Sequence, residues 1–106
     1  MLLANERRGR TYSMKSERLI WEWDGKFFEL VMDWRGEGPT ILLLPALSSI
    51  STRHEMHPLQ ERLSANYRPV STDWPGFGDQ PRPRLDRRPE TYGAFLTFLI
   101  SQRLLA

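Results

Sequence analysis

The residues predict an α/β fold in which an antiparallel hairpin is joined to a parallel βαβ unit and followed by a C-terminal helix. Three observations carry this. Two apolar runs, Thr40 to Leu44 and Tyr67 to Thr72, flank a helical segment from Pro58 to Ala65; parallel neighbours need a long crossover connection, and a helix usually supplies it. Asp24-Gly25 separates two aromatic and β-branched segments, and that pair supplies the positive φ values of a tight hairpin turn. Finally, Tyr92, Phe95, Leu96, Leu99, Ile100 and Leu104 recur with the period of one helical face.

Taken in order, residues 1–16 carry Arg7, Arg8, Arg10 and Lys15 with few large apolar residues. They read as a flexible N-terminal arm, with residues 17–106 forming the folded part. Glu17 to Trp23 and Lys26 to Trp34 are the hairpin strands. Leu19, Trp21 and Trp23 alternate with Arg18, Ile20 and Glu22, which marks one better-buried face. Trp21, Trp23 and Trp34 read as packing residues rather than a base-stacking platform. Gly36, Gly38 and Pro39 end the second strand. Thr40 to Leu44 is apolar on both faces, the pattern of a strand covered on both sides.

Beyond it, Pro45 opens the loop Ala46-Leu47-Ser48-Ser49-Ile50-Ser51. Thr52 and Glu55 have the spacing of a capping box, and Pro58 suits the first position of a helix carrying Leu59 and Leu63. Pro75-Gly76 has the two central residues of a type II turn. The proline- and arginine-rich stretch leading to Pro89 is a loop, and Pro89 and Glu90 start the last helix.

Composition narrows the function classes. The chain has 106 residues, 40% of them apolar, and no cysteine, which fits one domain and excludes a disulfide framework or a cysteine metal site. The longest apolar run is far short of a bilayer span, so no membrane span is expected and a cytoplasmic location is the expectation. The net charge is only +2, so the pI of 9.4 is weak support for a nucleic-acid partner. His54-Glu55-Met56-His57 lacks the four-residue spacing of a helical zinc motif, shows no third ligand and reads as two solvent-facing histidines. Gly76-Phe77-Gly78 is too short to cradle a phosphate. Neither a metal nor a cofactor is expected. Ser48, Ser49 or Ser51 with His54 or His57 and Asp73 would supply the residue types of a triad, but serines before a helix are more often turn and cap formers.

The order Gly38-Pro39-Thr40-Ile41-Leu42-Leu43-Leu44, a turn with Ser48-Ser49, a short helix, Tyr67 to Asp73 and then Trp74-Pro75-Gly76-Phe77-Gly78 resembles the amino-terminal third of the α/β-hydrolase superfamily. The resemblance implies a partial α/β-hydrolase fold and, in a full-length relative, serine-type hydrolysis of an ester, amide or related bond in a small molecule. It also implies that the loop after the first apolar strand supplies a backbone N–H to an oxyanion hole. Leu47 matches the donor position, and Ala46 and Ser48 would lie beside the substrate. The sequence departs from the family at Pro45-Ala46, where His-Gly is usual, and at Gln80, where serine is usual.

No Gly-x-Ser-x-Gly elbow occurs in the 106 residues. The chain therefore reads as a truncated, catalytically incomplete fragment that lacks the nucleophile strand and the triad histidine. If the family strand order applies, Thr40 to Leu44 forms an uncovered edge through which the chain would self-associate. The alternative is a non-catalytic module binding nucleic acid or a protein through Arg82, Arg84, Arg87 and Arg88.

Overall fold

The computed structural model describes residues 13–47, 51–76, 85 and 88–104. Strand β1 (Lys15–Trp23) pairs antiparallel with β2 (Lys26–Trp34) around Asp24 and Gly25, whose φ values of 53° and 71° are those the hairpin turn requires. β1 starts two residues earlier than expected, because Lys15 pairs with Trp34 and Ser16 with Asp33. Strand β3 (Thr40–Leu43) leads through the loop to a 3₁₀ turn (Arg53–Met56) and helix α1 (His57–Leu63), after which β4 (Arg68–Thr72) pairs parallel with β3. Helix α2 (Pro89–Phe98) follows and widens into a π-helical turn (Leu99–Leu104). The sheet order is β1-β2-β4-β3.

The pairing sorts side chains onto two faces, since alternate strand residues point opposite ways. Leu19, Trp21, Phe28, Leu30, Met32 and Val70 share one face and form the core with Trp74, Phe95 and Leu99. Trp21 stacks on Trp23 at 5.3 Å and meets Phe95 edge-on at 5.4 Å, so these tryptophans are packing residues. The opposite face carries Asp33 beside Ser71 and is covered near them by the 3₁₀ turn and α1. Farther out on that face Ile20 and Phe27 are exposed.

Two expectations are corrected. Ile41, Leu42 and Leu43 are only half-buried, because among the described residues β3 pairs with β4 alone. The α2 stripe is centred on Thr91, Phe95 and Leu99, each buried and four residues apart, and Ile100 is exposed. Ile100 follows Leu99 by about 100° around the helix axis and so faces out, while the wider π-helical turn brings Leu104, five residues after Leu99, back to the core. Arg103 pairs with Glu17, fastening that turn to β1.

The connection between β2 and β3 lies directly on the one between α1 and β4. Gly36 has φ 82°, and a Cβ there would sit 2.5 Å from the Tyr67 carbonyl oxygen and 2.8 Å from Ser64 backbone atoms. Gly93, inside α2, has open space around it. Alanine at the two sites should therefore act in opposite directions. Gly36→Ala is expected to cost about 2 kcal/mol or more, from a disfavoured φ plus a backbone clash, whereas Gly93→Ala should gain about 0.5–1 kcal/mol of helix propensity. Urea unfolding at fixed protein concentration reads both.

Candidate functional site

β3 and β4 run in the same direction and end side by side, with Leu43 opposite Ser71. The loops that follow them are joined: Trp74 Nε1 donates to the Pro45 carbonyl oxygen at 2.8 Å. Pro45 is buried by this contact, while Ala46 and Leu47 are exposed. Gly76 has φ 81°, as the type II turn at Pro75-Gly76 requires. Ser48, Ser49, Gln80, Arg82, Arg84 and Arg87 lie outside the described residues.

Beneath these loops lies a buried charge network that the sequence did not disclose. Arg53, the first residue of the 3₁₀ turn, is 7% exposed and reaches between two strands. Its Nε donates to Asp33 Oδ2 and its Nη1 to Asp73 Oδ2, each at 2.8 Å. Its backbone N–H donates to Asp73 Oδ1 at 2.6 Å, and its carbonyl accepts from Ser71 Oγ at 3.2 Å. Asp33 also accepts from Ser16 Oγ at 2.6 Å. Gln60, fully buried, donates through Nε2 to the backbone carbonyls of Asp33 and Pro69, at 3.0 and 3.3 Å.

Burial would raise the Asp33 pKa, but bonds from Ser16 and His57 and the charge and hydrogen bond of Arg53 outweigh it and hold the carboxyl below its ordinary value of 3.8.

The two histidines are not both solvent-facing. His54 is exposed, but His57 Nε2 lies 3.0 Å from Asp33 Oδ2. One donor atom from each of Asp33, His54 and His57 lies within 4.8 Å of the others. The triad combination with Asp73 does not form among the described residues. Asp73 is taken by Arg53, and His57 meets Asp33 instead. Thr52 does cap the first turn, its Oγ1 accepting from His54 N at 3.3 Å.

Asp33 was hidden because a lone carboxylate in an amphipathic strand reads as solvent-facing. Arg53 was hidden by its polar neighbours at a helix start. One signal was available: Asp33 falls on the face of the hairpin opposite Met32, the face that a crossover helix would cover.

No family model and no curated protein matches the sequence. Solved structures do. Cfl2 from Burkholderia cenocepacia is 26% identical with TM-score 0.64, over 86% of this chain and 30% of its own. The Cif epoxide hydrolase from Acinetobacter nosocomialis is 20% identical with TM-score 0.65, over 96% and 32%. The thioesterase domain from the curacin biosynthetic pathway is 18% identical with TM-score 0.64, over 83% and 31%. All three are α/β-hydrolase-fold proteins. The present chain has that fold's amino-terminal architecture, a mixed four-stranded sheet with helices on both faces. It spans about a third of the length of these neighbours. Among the described residues, no helix is long and apolar enough to cross a membrane.

Two outcomes follow from the network. Arg53→Met leaves Asp33 and Asp73 buried without their cation, a loss expected to cost about 3–5 kcal/mol. Asp33 contributes stability that is fully present above the ordinary carboxylate range and is lost as pH falls through its lowered folded value. The thermal midpoint should accordingly drop below about pH 4, and Asp33→Asn, although less stable at neutral pH, should show a flatter acid limb. Circular dichroism melts across the acid range measure both effects.

Proposed function

We propose that these residues form the amino-terminal part of an α/β-hydrolase-fold enzyme that hydrolyses an ester, amide or related bond in a small molecule. The Leu47 backbone N–H is one of two oxyanion donors, and Ala46 and Ser48 lie beside the reacting carbonyl. The nucleophile elbow and the other triad residues come from polypeptide outside these 106 residues, within which no such elbow occurs. The observation that carries this reading is the side-by-side ending of β3 and β4 with their loops bonded through Trp74 and Pro45. Ligands of open α/β sheets gather at the carboxyl ends of the strands. The named activities of two neighbours, a thioesterase and an epoxide hydrolase, support hydrolysis as the reaction class.

A backbone donor suits the role physically. It is held by the loop rather than by a rotatable side chain, so no reorganisation is needed as negative charge develops on the substrate oxygen. Replacing the family's His-Gly with Pro45-Ala46 leaves the Leu47 N–H in place, since every residue except proline has one.

With activated p-nitrophenyl esters, the 106-residue chain alone should show no turnover. Turnover that disappears in Ser48→Ala would overturn the claim that the nucleophile lies elsewhere. Codons downstream of Ala106 in genomic DNA should encode a strand and a nucleophile elbow. In the protein that carries the elbow, Leu47→Pro should lower kcat by about 10²–10³-fold, while Leu47→Ala, which keeps the N–H, should stay close to the parent. An equal loss in both would assign the effect to the side chain instead.

The edge of β3 gives a separate expectation for the chain on its own. Half-buried Ile41, Leu42 and Leu43 are paired on one side by β4, and an open apolar strand edge is a template for a further strand. Light scattering should report concentration-dependent association; a monomer at all concentrations would contradict it.

A further inference from the structure

We infer that Asp33, His54 and His57 form a binding site for a divalent transition-metal ion of the zinc type, which clips the 3₁₀ turn and the start of α1 to strand β2. This inference is independent of the hydrolase reading, since it uses neither the Pro45 to Leu47 loop nor the missing nucleophile.

Local geometry comes first. On an α-helix, residues three apart are neighbours on one face, and the common spacing of two zinc-binding histidines is four. In a 3₁₀ turn, residues i and i+3 eclipse. His54 lies in the 3₁₀ turn and His57 begins the α-helix immediately after it, so the tighter winding brings both imidazoles to one side. Their ring centroids are 4.9 Å apart. The three-residue spacing is thus compatible with a shared metal here.

The third donor arrives from a distant part of the sequence. Asp33 Oδ2 lies 3.0 Å from His57 Nε2, and the chosen donor atoms of all three residues fall within 4.8 Å of one another. For zinc with bonds of about 2.0–2.1 Å, tetrahedral donors are about 3.3 Å apart. The Asp33 and His57 pair is already near that separation, and His54 brings the third donor atom within 4.8 Å of both. Two imidazoles and a carboxylate are zinc-type ligands that leave a fourth position for water.

The surroundings resemble the support that ligating carboxylates receive. Ser16 Oγ holds Asp33 Oδ1 at 2.6 Å, and Gln60 holds the Asp33 backbone carbonyl at 3.0 Å; partners of this kind fix a ligand's orientation. Charge also favours a cation. Among the described residues, Arg53 is shared between Asp33 and Asp73, two buried carboxylates to one guanidinium.

Cobalt(II) titrated into the 106-residue chain tests this directly. The expected result is a visible d–d band of a four-coordinate site, saturating at one ion per chain and displaced by zinc. His54→Ala and His57→Ala should each weaken binding at least tenfold, whereas Glu55→Gln, on the same turn, should leave it unchanged. Because Asp33 also anchors Arg53, its own variant is not needed for the decision. No band in the parent chain overturns the proposal, as does a band that survives both histidine substitutions or one that disappears with Glu55→Gln.

Discussion

The guanidinium of Arg53 is the contact on which this arrangement depends. A buried cation must be paired, and an isolated one in a nonpolar interior is costly by several kcal/mol even after relaxation. Here the pairing comes from two strands at once, Asp33 on β2 and Asp73 just beyond β4. The Arg53 backbone bonds to Asp73 and Ser71 as well, so the polypeptide itself, and not only the side chain, is fixed against the sheet. Asp73 directly precedes Trp74, whose indole holds Pro45. A chain of contacts therefore runs from the middle of one sheet face to the loop that the proposed function requires.

The two faces of the sheet do different physical work. The face under α2 is apolar, with Phe28, Leu19, Phe95 and Leu99 fully buried, and its contribution scales with area removed from water. The face under α1 buries Asp33, Arg53, Gln60, Ser71 and Asp73. Such a network adds little net stability over apolar packing, because desolvation offsets much of the attraction. It does impose direction: each donor has a partner in one place, and a slipped α1 would leave charged groups unpaired. Gln60 Oε1 is the one orphaned atom found among the described buried side chains. Its amide is oriented by the two carbonyls bound at Nε2, so exchanging oxygen and nitrogen would set acceptor against acceptor.

The parts of the fold legible in the sequence were those written in local chemistry. Asp24-Gly25 specified the hairpin, the Leu19 and Trp21 alternation specified its buried face, and Pro58 and Pro89 marked helix starts within a residue or so. What stayed hidden depends on distance. Arg53, Asp33 and Asp73 are 20 residues or more apart along the chain, and nothing in the pattern near any of them shows that they meet. His57 reads as solvent-facing for a related reason: Asp33, which its ring meets, is 24 residues away along the chain. Ile100 was misplaced because the buried stripe, Thr91, Phe95 and Leu99, is narrower than the apolar pattern and is centred to one side of it.

β3 is the weakest element by its own resources, four residues long with none fully buried, yet the loop leaving it must be well placed to present a backbone N–H. Its position is set from both ends. At the start, Arg68 N donates to the Pro39 carbonyl at 2.8 Å, and Arg68 Nη2 donates to Thr40 Oγ1 at 2.9 Å. Gly38, with φ 125°, lets the backbone approach Asn66 where any Cβ would lie 2.5 Å from its carbonyl oxygen. At the finish, Trp74 holds Pro45. Parallel pairing covers the four strand residues and stops at Leu43, so the direction in which Ala46 and Leu47 leave the sheet is set beyond it, by the contact of Trp74 with Pro45. The exit from a short strand can then keep one geometry, because Trp74, which fixes it, is itself buried in the immediate continuation of β4.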